Sequence, residues 1–194
     1  MRIISGSEKG RRLVAPKGTL VRPTTDRVKE AMFSMLSSEG LRSADRELTS
    51  GLFPFTRVLD LYAGSGALGI EALSRGAHYV DFVECDPRAR AIIRENLERT
   101  GLTDRATVHG IRAEAALSTI RSVYDLILLD PPYGDPAVFA VLHTLASSTL
   151  VAARSVVVVE HARSSALPEM TGRLMWSRTR TYGASALTLY VCGT

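Results

Sequence analysis

Apolar residues between positions 57 and 160 occur in short runs that alternate with amphipathic segments. The runs have the length of strands, and the segments between them carry apolar side chains at helical spacing. The predicted strands are residues 58–61, 79–83, 106–109, 124–129 and 155–160. Strand 124–129 is predominantly apolar, which is typical of a central parallel strand buried on both faces. This alternation predicts a doubly wound, mostly parallel, Rossmann-like α/β sheet.

Both ends of the chain add to this alternating region. Short β-type pieces near residues 2–4 and 12–14 predict a small N-terminal β extension, and a helix capped by Thr25 or Asp26 is expected to end before Gly40. Strand-like residues 174–179 and 186–191 are too close for a crossover helix, so they predict an antiparallel terminal hairpin. We therefore expect a seven-stranded sheet in a domain of residues 23–194, preceded by an extension of residues 1–22.

The composition limits the classes of protein to consider. A chain of 194 residues with 45% hydrophobic and 23% charged residues is an ordinary globular domain. Cys85 and Cys192 are too few for a disulfide framework or a zinc site, and the four histidines show no ligand spacing, so no metal is expected. No apolar run reaches membrane-spanning length and the N-terminus lacks a signal-peptide pattern, so we expect a cytoplasmic protein without a membrane partner.

The charge is unevenly distributed along the chain. Residues 1–30 hold eight basic and three acidic side chains, whereas the other 164 residues together carry a net charge of −1. A basic segment of this kind suits contacts with a nucleic-acid backbone, and it is equally compatible with a solvated tail.

A glycine-rich turn follows the first strand of the alternating region. Residues 64–69 read GSGALG and match G-x-G-x-x-G, with Glu84 twenty residues after Gly64, so a dinucleotide site has to be considered. Asp60 argues against it, because a pyrophosphate would meet this carboxylate in a partly desolvated crevice. S-adenosylmethionine (SAM) instead brings an ammonium and a sulfonium group. Glu84 could accept hydrogen bonds from a ribose in either case.

The turn after strand 124–129 reads Asp130-Pro131-Pro132-Tyr133. Its simplest interpretation is a rigid turn, but its place beside the glycine turn suits methyl transfer to an exocyclic amino group. Asp130 and a neighbouring carbonyl could accept the two N–H hydrogens, and the prolines hold these acceptors rigidly. Tyr133 offers a face on which a base can stack. We predict these four residues to be the catalytic turn.

Nearly the whole chain resembles the RsmD family of 16S rRNA guanine-N2 methyltransferases. The resemblance rests on MRIISGSEKGRRL, RPTTDRVKEAMFSML, DLYAGSGALGIEALSRGA, FVECDPRA and DPPY. It implies a class I SAM-dependent methyltransferase fold, SAM as donor with S-adenosylhomocysteine as product, and 16S rRNA as partner, in the small subunit or its assembly intermediate. We expect a monomer. The implied cofactor-binding residues are Thr25, Asp60, Tyr62, Ala63, Gly64, Gly66, Glu84, Cys85, Arg112 and Ala113.

One position departs from the common pattern. Many methyltransferases place an acid or amide after the third strand to accept from the adenine amino group, and this chain has Arg112, so the backbone of Arg112 and Ala113 is expected to serve instead. The resemblance also favours RNA contact by the basic segment of residues 1–30, through Arg2, Lys9, Arg11, Arg12, Arg22 and Arg27. The alternatives are a DNA adenine-N6 or cytosine-N4 methyltransferase and a non-catalytic module that binds SAM or RNA.

Overall fold

The computed structural model describes residues 1–16, 26–43, 53–132 and 137–193. The helices are α1 (Asp26–Ser43), α2 (Ala67–Arg75), α3 (Pro87–Thr100), α4 (Ala113–Thr119) and α5 (Ala137–Ser147). The strands are β1 (Arg57–Leu61), β2 (Tyr79–Val83), β3 (Ala106–His109), β4 (Tyr124–Leu129), β5 (Val151–Ala162), β6 (Met170–Thr171), β7 (Leu174–Tyr182) and β8 (Ser185–Cys192). None of the helices in these ranges is long and apolar enough to cross a membrane.

The strands form one sheet in the order β3-β2-β1-β4-β5-β8-β7-β6. Strands β1 to β5 are parallel to one another, and the hairpin of β7 and β8 adds to β5 in the antiparallel direction. The strand order reverses between β1 and β4, and ligands of doubly wound sheets bind at this switch point. The predicted sheet and its terminal hairpin are confirmed.

Two sequence predictions differ from the observed elements. The described sheet has eight strands rather than seven, because a two-residue strand, β6, pairs with the start of β7; so short a strand carries no readable alternation. Helix α1 does not end before Gly40 but continues to Ser43. One glycine in a helix costs only about 1 kcal/mol relative to alanine. The burial of Met32, Phe33 and Leu36 on this helix stabilises it by more than that.

Helices α2 and α3 begin and end at clear capping residues. Gly76 and Gly101 close these helices at positive φ, and the Asp86 side chain accepts a hydrogen bond from the Arg88 amide at the start of α3. Gly69 allows α2 to lie close to the sheet, since a methyl group there would overlap the Phe82 ring. The helix that carries the glycine turn is therefore tightly fixed on β1 and β2.

The core has one layer on each face of the sheet. One layer joins the sheet to α1, α2 and α3, and also includes Ile3 and Leu13 from the N-terminal segment. The other joins the sheet to α4 and α5. We call residues 1–16 the N-terminal arm. It shares the core of the domain.

Buried polar side chains fix the N-terminal arm on α2. The Glu71 carboxylate is fully buried and accepts from the amides of Ile4 and Ser5, at 2.8 and 3.0 Å. Lys29, also fully buried, lies 3.3 Å from the Glu71 carboxylate and donates to the Arg2 carbonyl. Within residues 1–16, the β extension consists of one bridge between Arg2 and Arg12. The contacts with Glu71 and Lys29 hold the arm in place.

Candidate active site

Three carboxylates meet at the edge of the sheet where the parallel strands end. Asp60 is the fourth residue of β1, while Glu84 and Asp130 directly follow β2 and β4. These strands are neighbours, so their carboxyl ends lie side by side at the switch point. The charges of Asp130 and Glu84 both act on Asp60, and Glu84 binds the amide of Gly64, four residues after Asp60.

The turn between β1 and α2 has the backbone that its glycines predict. Gly64 and Gly66 have φ values of +54° and +79°, and the Gly66 amide donates to the Ala63 carbonyl at 2.7 Å. Tyr62 also lies at positive φ, +62°, although it has a side chain. A bulky residue in this region is strained, and such strain is typical of functional sites. Sequence reasoning placed Tyr62 at the cofactor but had no signal for its backbone conformation.

Glu84 organises the glycine turn. One carboxylate oxygen accepts from the Gly64 amide at 2.9 Å, and the other accepts from the Asp86 amide at 2.8 Å. A carboxylate offers about four acceptor positions, so these two bonds leave capacity for ribose hydroxyls. The residue predicted to hold the ribose therefore also holds the turn that is predicted to hold the methionine part.

Asp60 is buried at the N-terminus of α2. Its Oδ2 accepts from the Gly69 amide at 2.9 Å, in the first turn of a helix whose N-cap residue, Gly66, provides no side chain. Its Oδ1 is also buried and, within the described ranges, has no hydrogen-bond partner. Burial, followed by the charges of Asp130 and Glu84, raises the pKa of Asp60 to about 8. A cation at this position would favour the ionised carboxylate.

A pocket beside Glu84 collects most of the remaining predicted cofactor residues. Its walls include Tyr62, Glu84, Cys85, Arg112 and Ala113. Arg112 precedes α4 and points its guanidinium toward Glu114, 3.5 Å away. Within the described residues, the side chain of Arg112, the N-cap residue, does not cap α4. Ala113, the first residue of α4, also lines the pocket.

The catalytic turn begins at the same edge. The Asp130 amide lies 3.5 Å from the Leu61 carbonyl, which ties the turn to the end of β1. Asp130 is half-buried, Pro131 is buried and Pro132 is exposed. The described residues thus place three of the four predicted members of this turn beside the glycine turn. Tyr133 lies outside them.

Asn96 of α3 links the glycine turn to the N-terminal arm. Its side chain is fully buried, and its Nδ2 donates to the carbonyls of Ser65 and Val14, both at 3.0 Å. Its Oδ1 accepts from the Val14 amide at 2.7 Å. Ser65 lies between the two glycines of the turn. Sequence reasoning missed Asn96, which stands at a buried position of the helix pattern and could have been noticed there as a polar residue.

Most of the predicted RNA-binding residues lie exposed on the arm or near it. Arg11 is held by Glu8 at 2.6 Å and by the Arg99 carbonyl at 2.8 Å. Arg2 lies 3.8 Å from Asp26. The others that the structure describes are exposed as well: Lys9, Arg12 and Arg27. Arg22, together with Thr25 from the predicted cofactor set, lies outside the described residues. Lys29, counted with the basic segment, is buried against Glu71 and cannot contact RNA.

The residues at this edge fit SAM. The Asp60 oxygen without a partner in the described ranges and the nearby carboxylates of Asp130 and Glu84 favour a positively charged ligand. SAM carries an ammonium and a sulfonium. The positive φ values of the glycine turn let a ligand approach the backbone without a Cβ in the way. A pyrophosphate would instead add negative charge next to Glu84 and Asp130 and would not favour the ionised form of Asp60. The donor set therefore opposes a dinucleotide and suits SAM.

Comparisons with known proteins agree with this geometry. The family described as conserved hypothetical protein 95 matches residues 1–191. The chain is 40% identical to the protein YlbH of Bacillus subtilis over 193 residues, which cover 98% of both chains. It is 30% identical to the ribosomal RNA small subunit methyltransferase D of Escherichia coli K12, over 98% of this chain and 89% of that one.

Solved structures show the same fold. A Thermus thermophilus protein superposes with a TM-score of 0.78 and 32% identity, over 97% of this chain and 98% of that one. An RNA methyltransferase from Salinibacter ruber, solved in complex with S-adenosylhomocysteine, gives a TM-score of 0.61 at 19% identity, over 89% of this chain and 94% of that one. At that identity the likeness concerns the fold alone.

Proposed function

We propose that this chain, which belongs to the family described as conserved hypothetical protein 95 (the RsmD family), is a SAM-dependent methyltransferase of 16S rRNA. Its target in this proposal is the N2 amino group of a guanine. The observation that carries the proposal is the meeting of Asp60, Glu84 and Asp130 beside the glycine turn. The rRNA methyltransferase of Escherichia coli, aligned over nearly the whole chain, favours RNA over DNA as the acceptor.

The residues at the edge of the sheet divide the work of binding. Asp60 and the glycine turn hold the positively charged methionine end, and Glu84 holds the ribose. The pocket that Arg112 and Ala113 help to form would hold the adenine of SAM. SAM supplies an electrophilic methyl group on its sulfonium. The carboxylates stabilise that charge while the cofactor is bound, and they do not act as bases.

The catalytic turn holds the acceptor. The guanine amino group is a weak nucleophile because its lone pair is delocalised into the ring. Asp130 and a carbonyl oxygen of residues 130–131 accept its two N–H hydrogens and favour the geometry in which the lone pair faces the methyl group. Pro131 and Pro132 restrict the turn, and Tyr133 stacks on the base. Catalysis then depends on positioning, and the proton is lost after transfer.

The N-terminal extension, residues 1–22, contacts the RNA backbone in this proposal. Its exposed basic residues lie on a segment that Glu71 and Asn96 fix beside the glycine turn. A target base must leave its stack to reach a buried methyl donor, and backbone contacts next to the site hold the strand in place meanwhile. The extension thus serves the same substrate as the catalytic turn.

The test is methyl transfer from labelled SAM to small ribosomal subunits that lack the modification. We expect the label as N2-methylguanine after nucleoside digestion. Asp130→Ala should abolish transfer while S-adenosylhomocysteine affinity and the unfolding midpoint are retained. The matched control is Asp104→Ala, which removes an exposed carboxylate in the turn before β3 and should transfer normally. Label found only on DNA, or no N2-methylguanine, would refute the proposal.

A further inference from the structure

A second basic segment lies at the other end of the chain. Residues 161–194 contain one acidic side chain, Glu169, and four arginines: Arg163, Arg173, Arg178 and Arg180. Residues 31–160 carry a net charge of −4. Positive charge is thus concentrated in the first thirty residues and in the terminal hairpin, on either side of an acidic middle. Such segregation is the electrostatic footprint of a nucleic-acid-binding protein.

The register of the sheet places Arg180 in line with the catalytic turn. Leu129 pairs with Val159, so Asp130 and Glu160 begin the next row across the sheet. Glu160 pairs with Leu187 of β8, and Leu187 pairs with Arg180 of β7. Adjacent strands are about 4.8 Å apart, so the Arg180 backbone lies about 14 Å from that of Asp130. In a bound RNA strand, a nucleotide close to the target base would lie within this distance of the catalytic turn.

The same row lies on the face of the sheet that the N-terminal arm also covers. Residues paired directly across strands share a face, so Arg180 lies on the face of Leu187. Leu187 belongs to the core layer that includes Ile3 and Leu13 of the arm. Asp60 lies on this face too, since it bonds to Gly69 of α2. The arm, which packs on α2 and α3, and Arg180 on β7 therefore lie on the same face of the sheet, with β4 and the catalytic turn between them.

The end of the hairpin near the active site is exposed. In the described part of the chain, β6 pairs only with Leu174 and Met175 at the start of β7, so no strand other than β8 pairs with residues 179–182 there. Arg180 is exposed there. Arg163, also exposed, follows β5, and its amide donates to the Ala184 carbonyl in the hairpin turn at 2.8 Å. Arg173 differs, because its guanidinium binds the carbonyls of Ser148 and Val151 at the other end of the sheet.

We propose that Arg163 and Arg180 form a second RNA-binding surface, which contacts phosphates of the single-stranded rRNA segment next to the target base, on the side opposite the arm. The proposal rests on the proposed function and extends it, since it defines the substrate as a strand held on both flanks of the catalytic turn. Arginine suits this role because its planar guanidinium binds phosphate oxygens in pairs.

The experiment measures binding of unmodified 16S rRNA fragments at several salt concentrations, with saturating S-adenosylhomocysteine so that no turnover is needed. The variants are Arg163→Ala, Arg180→Ala and the double variant. Arg121→Ala is the matched control, because Arg121 is exposed before β4 at the opposite edge of the sheet. Arg180→Lys keeps the charge.

We expect each alanine substitution at the hairpin to weaken binding several-fold at low salt and to lower the slope of log affinity against log salt by about 0.7 per lost phosphate contact. Arg121→Ala should match the wild type, and Arg180→Lys should keep the wild-type slope. S-adenosylhomocysteine affinity should not change in any variant. A slope in Arg180→Ala equal to that of Arg121→Ala would overturn the inference.

Other outcomes separate this inference from the proposed function. An exposed strand edge can carry arginine only to prevent pairing with other molecules. Self-association of Arg180→Ala with unchanged RNA binding would assign it that role and refute RNA contact. Wild-type protein that methylates the rRNA but binds it no better than the double variant would refute the hairpin surface alone. Wild-type protein that binds no rRNA fragment and also transfers no methyl group to small ribosomal subunits would refute the proposed function itself.

Discussion

Asp60→Asn should change how the stability of the protein depends on pH. The asparagine oxygen can still accept from the Gly69 amide, but the group no longer titrates. In the wild type, burial and the charges of Asp130 and Glu84 raise the pKa of Asp60 from 3.8 to about 8. Asp60 is therefore protonated at neutral pH when no cation is bound next to it. The variant removes this titration while keeping the shape of the side chain.

The size of the effect follows from the raised pKa. Above about pH 4 the unfolded chain gives up the Asp60 proton, whereas the folded protein keeps it up to about pH 8. The contribution of Asp60 to stability is thus fully present below pH 4 and is lost as the pH rises through 8. Each pH unit in this window changes the free energy of unfolding by about 1.4 kcal/mol, or about 4 kcal/mol from pH 5 to pH 8.

The assay is urea unfolding of wild type and Asp60→Asn at each pH from 5 to 9, without ligand. The quantity of interest is the wild-type free energy of unfolding minus that of the variant, because groups common to both proteins cancel. This difference should fall by about 4 kcal/mol between pH 5 and 8 and become constant above pH 8. Asp104→Asn, at an exposed carboxylate, should show a constant difference. A constant difference for Asp60→Asn as well would show that its carboxyl is ionised in the folded protein.

Two further predictions concern the contacts between the arm and α2 and α3. Asn96→Asp loses the donor to Ser65 and should lower S-adenosylhomocysteine affinity about tenfold by calorimetry, given ~1–3 kcal/mol for a buried unpaired group. Ser74→Ala loses only arm contacts and should leave that affinity unchanged, so equal losses in both would contradict the role of Asn96. Gly6→Ala should release the arm from α2 and speed proteolysis within residues 1–16, because the new methyl group would overlap the Ser74 carbonyl. Gly10→Ala has the same φ but nothing within 4 Å of the new methyl, so equal cleavage rates would refute this.

The sheet could be predicted because its signals are local. Each strand of the parallel region is a short apolar run, and glycine or an Asp-Pro pair marks the helix ends, as at Gly76 and Asp86. The placement of Asp60 and Asp130 followed from the same pattern, since strand ends in a doubly wound sheet meet at one edge. Short β6 had no such pattern to read. Elements that a few neighbouring residues define were therefore the most predictable.

The docking of the arm could not be predicted from local patterns. Glu71 and Asn96 are polar residues on helices, and such residues normally lie in solvent. They are buried because a segment more than sixty residues away in sequence covers them and supplies its backbone amides as partners. Lys29 is buried for the same reason, since it pairs with the Glu71 carboxylate and donates to the Arg2 carbonyl of the arm. The cap that Asp60 provides for α2 is likewise a tertiary contact.

Helices α2 and α3 contact both the glycine turn and the N-terminal arm. Ser65 is fixed by Asn96 inside the glycine turn, and the same amide group pairs with Val14 of the arm. Glu71 follows Gly69 by two residues, so the helix start that Asp60 caps is continuous with the surface on which the arm lies. The arm is therefore fixed relative to the glycine turn. In the proposed function, an RNA strand bound on that arm would reach the catalytic edge in a defined orientation, which a loosely tethered tail could not provide.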